Sequence, residues 1–195
     1  MDIMTMFAES FDLPILAWIA ENLQCAFMDV FMPFITIFGD AGIFWIACAV
    51  VLLFIPKYRK VGLGMGIALI LGLLVCNVTL KPLVARPRPY TYLEENYGII
   101  IKLLIEGHAD FSFPSGHTIA SFEAATVLLI NDRKLGIPAM ILAVLIAFSR
   151  LYLYMHYPTD VIASVFLGIA FAFLGNWLSK LIFSKIPARK GKYEQ

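Results

Sequence analysis

Long apolar runs separated by short polar clusters dominate this chain, at a spacing that suits membrane-crossing helices. A crossing helix needs about 20 mostly apolar residues. Four runs approach or meet that length: residues 42–56, 61–80, 137–155 and 159–183. The first, GIFWIACAVVLLFIP, is short; the second is rich in glycine (Gly62, Gly64, Gly66, Gly72), which permits close helix contact. Residues 116–131 also pattern as an apolar helix, but the run is short and contains Glu123. A span this short must tilt or pack inside the bundle. Residues 12–38 are apolar yet broken by Glu21, Asn22, Gln24, Asp29 and Pro33. That pattern suits one or two helices lying in the interface. The expected fold class is therefore all-α, a polytopic membrane helical bundle forming one domain over residues 1–195. Five crossings are expected, six being the alternative, with interfacial helices at the N-terminus. Residues 187–195 pattern as a polar tail. No cleavable signal is expected, because residues 1–10 lack Lys and Arg and Pro14 and Glu21 interrupt the first apolar run.

Composition sharpens this picture. Hydrophobic residues make up 61% of the chain and charged residues 15%. A soluble domain averages roughly half apolar and about a quarter charged. The excess is too large for a water-facing surface, which makes this an integral membrane protein. A net charge of +1 leaves no broad basic face for nucleic acid. Cys25, Cys48 and Cys76 are scattered and odd in number, so they form no metal spacing and no disulfide framework.

The placement of Lys and Arg gives an orientation. Lys57, Arg59, Lys60, Arg133, Lys134, Lys180, Lys185, Arg189, Lys190 and Lys192 fall on one side of the expected spans. Lys81, Arg86, Arg88, Lys102 and Arg150 fall on the other. The positive-inside rule puts the first group in the cytoplasm. The loop 81–116 and the turn 150–159 are then expected on the outer face of the plasma membrane.

Three stretches carry candidate chemistry. In FPSGHT, Ser115 and Gly116 open a helix, whose first turn offers free backbone N–H groups and a positive dipole end. Gly116 lets an anion approach the backbone, Ser115 adds a hydroxyl donor, and His117 follows at once. An ordinary serine cap on a packed helix accounts for the same residues equally well. In KPLVARPRP, Lys81 supplies a point charge and Arg88 a planar fork suited to phosphate, on a connection stiffened by Pro82, Pro87 and Pro89. A boundary anchor is the plainer account. In SRLYLYMHYPTD, His156 and Asp160 are four apart, with Pro158 where a helix can start and Arg150 six residues before the histidine. A carboxylate there can fix the imidazole tautomer and stabilise its positive form.

Together these residues amount to three cations, a helix N-terminus, two histidines and a carboxylate. No acidic cluster suits Mg²⁺ and no His/Cys set suits Zn²⁺. The cations can neutralise a transferring phosphoryl group. One histidine can attack phosphorus while the other protonates the leaving oxygen. The residues thus point to phosphoryl transfer without a metal or other cofactor.

Lys81 to Arg88-Pro89 with six residues between, Pro114-Ser115-Gly116-His117, and Ser149-Arg150 to His156 to Asp160 resemble the three-part signature of the type 2 phosphatidic acid phosphatase superfamily. All three parts stand in family order and spacing, over residues 81–160. The resemblance implies a helical bundle with its site near the outer membrane boundary. It implies His156 as the nucleophile that forms a phosphohistidine, Asp160 as the group that orients and charges it, and His117 as the acid and later the activator of water. It also implies that Lys81, Arg88, Ser115, Gly116 and Arg150 bind the phosphate oxygens. Vanadate-dependent haloperoxidases share a similar signature but are soluble and larger. Among lipid phosphatases, the outward site and short chain are similar to undecaprenyl diphosphate phosphatases. Phosphatidylglycerophosphate and phosphatidate phosphatases are alternatives.

Some residues stand apart from the signature. Glu123 lies inside a span, seven residues beyond Gly116 and so roughly below it; a structural partner is expected ahead of a substrate hydroxyl. Asn77, one turn before Lys81, can orient that lysine or simply bond between helices. His108, among Glu94, Glu95, Glu106 and Asp110, is expected in a solvated loop, a head-group lid being the alternative. The expected partners are a lipid phosphate and the surrounding membrane lipids. A non-catalytic lipid-phosphate binder or transporter is the rival class, and it has no use for a second histidine.

Overall fold

The structure, a computed structural model, describes residues 3–185, so the polar stretch 187–195, with Arg189, Lys190 and Lys192, lies outside the described residues. Every regular element among the described residues is helical: α1 (Ile3–Phe7), α2 (Leu13–Leu23), α3 (Ala26–Ile37), α4 (Ile43–Phe54), α5 (Arg59–Gly72), α6 (Lys81–Val84), α7 (Pro89–Tyr97), α8 (Gly116–Asn131), α9 (Arg133–Tyr152) and α10 (Pro158–Ser184). π-helical turns join α1 to α2 over Ala8–Asp12 and continue α5 over Leu73–Leu80.

α8 is the axis of the bundle. It packs against α9, α10, α5 and α4, and its residues 121–128 are all buried. Its 16 residues make it about 24 Å long at 1.5 Å per residue, and it fills the interior while the helices around it meet lipid. Four stretches are long and apolar enough to cross a membrane: Ala26–Phe54, Pro56–Tyr97, Arg133–Tyr152 and Pro158–Ser184. Adding α8 recovers the five expected helices. Their outer faces are apolar, with Phe54 79% and Phe166 69% exposed. Packing is tight where side chains are missing. A Cβ on Gly62 would lie 2.7 Å from Ala49 O on α4, and one on Gly175 would lie 2.5 Å from Gly64 O on α5. Helix association in lipid depends on such close backbone contact.

One boundary stands where the sequence pattern placed it, and one differs. The apolar stretch Ala26–Phe54 is two helices, because Ala41 (φ 48°) and Gly42 (φ 67°) adopt left-handed backbone between α3 and α4. α3 then runs along the C-terminal part of α9, where Tyr152 donates to Asp29 and Arg150 to Thr36. The run 61–80 does not end as a plain α-helix. It widens into π turns at Leu73–Leu80, re-forms one α turn at Lys81–Val84, and stops at left-handed Ala85 (φ 49°). π turns often mark functional positions, and these carry Asn77 to the mouth of the site. At the opposite end of the bundle, Asp132 caps α9 by accepting from Lys134 N at 2.9 Å and from Tyr58 Oη at 2.8 Å.

Candidate active site

Ser115 caps α8, its hydroxyl accepting from Thr118 Oγ1 at 2.9 Å and from Thr118 N at 3.4 Å. Its backbone N–H donates to Ser164 Oγ on α10 at 2.8 Å. The cap aims the first turn of α8, with Gly116 and His117, into a cavity of about 640 Å³. α9 ends in a turn, 153–157, stapled by the N–H groups of Met155 and His156, which both donate to Arg150 O. Pro158 opens α10 as expected. The turn delivers His156 to the same cavity.

Lys81, Arg88, Gly116, His117, Arg150, His156, Asn77 and Glu123 all line this cavity. Long-range folding therefore brings together most of the residues that the sequence singles out. Arg88 is held by Met155 O (2.7 Å) and lies 3.4 Å from His156 Nε2. Arg150 is fully buried and makes one hydrogen bond, from Nη1 to Thr36 Oγ1 at 2.6 Å. Its Nε and Nη2 are buried without a partner among the described residues, an arrangement that suits an incoming anion. Gly116 leaves room beside Asn77, whose amide would lie 3.2 Å from an added Cβ. Burial first, and then Arg88, Arg150 and Lys81, lower the His156 imidazole well below its ordinary value. This environment favours the neutral imidazole, the form with a free lone pair.

Three expectations need correction. Ser115 does not line the cavity; its hydroxyl is fully buried and accepts from Thr118. Asp160 does not hydrogen-bond His156, since Oδ2 lies 3.8 Å from Nδ1, and Nδ1 has no partner among the described residues. Stronger donors take that carboxylate: Arg86 Nη1 at 2.5 Å, Tyr157 N at 3.0 Å, and the Ser112 hydroxyl. The loop around His108 is not simply solvated. Asp110 forms ion pairs with Arg88 and, at 2.5 Å, with Lys81, and the His108 ring centroid stands 6.5 Å from that of His117. Burial raises the Asp110 carboxyl, but Lys81 and Arg88 outweigh it and hold the group well below the ordinary carboxylate range. Burial, with Arg88 and Arg150, lowers His108.

The structure also shows residues that sequence patterns missed. Arg86 bridges two fully buried carboxylates, Asp160 and Asp12, the latter at 2.7 Å. Asp12 further accepts from Thr159 N at 2.8 Å and Thr159 Oγ1 at 2.7 Å, and the Arg86 guanidinium lies 3.7 Å over the Tyr157 ring. Asp40 contacts His117. The available signal was a charged residue at each edge of an apolar run, which a boundary position explains just as well.

Similarity to known proteins identifies the family. The chain is 34% identical over 152 residues to an undecaprenyl-diphosphatase of Sulfolobus acidocaldarius, covering 77% of this chain and 70% of that one. It is 31% identical over 180 residues to a lipid A 4'-phosphatase of Bacteroides thetaiotaomicron, covering 87% and 76%. The fold matches the crystal structure of Aquifex aeolicus LpxE with a TM-score of 0.73 at 27% identity, over 85% of this chain and 94% of that one. The profile of the PAP2 superfamily matches residues 59–183, the stretch that holds the whole cavity-lining signature, and the chain belongs to that superfamily.

Proposed function

We propose that the protein hydrolyses a lipid phosphate or diphosphate at the outer membrane face, without a metal ion, through a phosphohistidine on His156. The observation that carries this reading is the buried, half-satisfied guanidinium of Arg150 beside Lys81, Arg88, His156 and His117 in one cavity. Three fixed cations and the first turn of α8 would bind the phosphoryl oxygens and stabilise charge that builds in the transition state. A ring nitrogen of His156 forms the N–P bond as the P–O bond to the leaving group breaks. The electron pair goes to the leaving oxygen, which takes a proton from His117. Water then attacks phosphorus and gives its proton to His117, and the N–P bond returns its pair to His156. Asp110 must yield Lys81 and Arg88 to the substrate. Asp160, locked by Arg86 and Ser112, would set the turn that carries His156.

Below the cations the cavity is largely apolar, with Glu123 in its lining, and reaches Leu53 and Gly62, which suits a long hydrocarbon tail. Undecaprenyl diphosphate is the substrate favoured here, in recycling of the cell-wall carrier lipid. The similarity to an undecaprenyl-diphosphatase and the orientation read from the basic residues support it. Lipid A, phosphatidylglycerophosphate and phosphatidate are the competing substrates. The test is phosphate release by purified protein from each lipid in turn, with chelator present, followed by acid-labile, base-stable labelling. Preference for a glycerophospholipid removes the substrate assignment. Full release or labelling by His156→Ala removes the mechanism. Tight lipid binding with no release by the wild type establishes the non-catalytic binder instead.

A further inference from the structure

The two histidines of the site meet carboxylates in different ways. His156 has Asp160 nearby but no hydrogen bond to it, whereas His117 Nε2 lies 2.7 Å from Asp40 Oδ1. Asp40 comes from the bend between α3 and α4, next to the left-handed residues Ala41 and Gly42. The same bend grips the ring. A Cβ on Gly39 would lie 2.7 Å from His117 Cδ2 and 2.9 Å from Ile146 Cγ2. Only a bare backbone fits there, so the His117 side chain packs closely against residue 39 with its Nε2 on residue 40. The side chain of Asp40 is 54% exposed while that of His117 is 13% exposed. The carboxylate therefore reaches in from the solvent side and is not part of the bundle's packing.

We propose that Asp40 is a positioning residue for the reaction: it orients His117 and stabilises the imidazolium that gives its proton to the leaving oxygen. This rests on the phosphatase reading above. His117 must carry a proton when the P–O bond breaks and regain one when water attacks, so a carboxylate on its ring favours the charged form at both points. The other charged groups around the pair act against it or from farther away. Arg150 on α9 and His108 in the loop face both Asp40 and His117. Lys81, Arg88, Asp110, His156 and Glu123 line the same cavity. Three of these are cations, and the carboxyl groups among them, Asp110 and Glu123, make no hydrogen bond to His117 among the described residues, which leaves Asp40 as the carboxylate in direct contact with the ring.

The chain has three histidines, so single substitutions at His108 and His156 assign all ring signals by NMR in detergent. The Asp40→Asn protein is expected to lower the His117 transition by about one pH unit, the lower end for a carboxylate within hydrogen-bonding reach. Asp40→Glu restores it. In turnover, the alkaline limb of kcat moves to lower pH by the same amount, so kcat above that limb drops about 10-fold while KM stays put. With p-nitrophenyl phosphate, whose leaving group needs little protonation, the drop is smaller. An unmoved His117 transition overturns the proposal. So does a rise in kcat, a uniform loss at every pH, or a defect confined to KM. Wild-type protein that releases no phosphate defeats the phosphatase reading instead, and the titration still judges the Asp40 contact.

Discussion

Replacing Arg86 with methionine removes the cation from between two buried carboxylates. Asp12 and Asp160 are both fully buried, and Arg86 is 5% exposed. The substitution deletes contacts of 2.7 Å to Asp12, 2.5 Å to Asp160 and 2.8 Å to Thr159 Oγ1. Methionine fills most of the space, so cavity formation contributes little and lost charge compensation dominates. Removing one partner of a buried pair typically costs about 3–5 kcal/mol. Two carboxylates lose a partner here, but each keeps other donors, Thr159 for Asp12 and Ser112 with Tyr157 N for Asp160. A loss of about 4 kcal/mol is the resulting expectation, a large part of a typical folding margin. Denaturant unfolding in detergent measures it. Arg86→Lys should recover part of the loss, because a point charge replaces the fork. Adding Asp12→Asn to Arg86→Met should recover part of it too, because one stranded charge disappears. A loss below about 1 kcal/mol, the scale of an exposed pair, refutes the reasoning. So does strict additivity with Asp12→Asn, since neighbours in one network couple.

Two further outcomes follow from the cavity. Asp110→Asn frees Lys81 and Arg88 for substrate, and half-exposed pairs of this kind are worth little, so KM should fall about 2- to 5-fold with kcat unchanged. Because the cations hold the Asp110 carboxyl low, it stays ionised throughout neutral pH. The KM ratio of variant to wild type should therefore stay constant from pH 6 to 8, as initial rates against lipid concentration will show; a ratio that varies with pH contradicts this assignment. Gly116→Ala places a Cβ 3.2 Å from the Asn77 amide, at the first turn of α8. It should weaken competitive inhibition by inorganic phosphate by about 10-fold, near the lower end for one charge-assisted hydrogen bond, without lowering the unfolding midpoint.

The sequence by itself determined the elements and singled out many of the polar residues that line the cavity. Apolar runs mark helices because backbone groups in lipid must be satisfied within the segment. Ser115 as cap, Pro158 as first residue of α10 and Gly62 as a close-contact position are local signals, and each stands where the pattern placed it. Lys81, Arg88, Gly116, His117, Arg150 and His156 were legible because the site uses short, spaced motifs at helix ends. Tertiary structure decided which polar atoms meet. Asp12 and Arg86 are 74 residues apart, and Asp40 and His117 are 77 apart; no local pattern encodes such pairs. Donor competition explains the remaining differences. Asp160 goes to Arg86, Ser112 and Tyr157 N in place of His156, and the Ser115 hydroxyl goes to Thr118 in place of the cavity. A buried carboxylate or hydroxyl goes to whichever donor the fold brings closest, because leaving that donor unpaired in a low-dielectric interior costs more than any single contact returns.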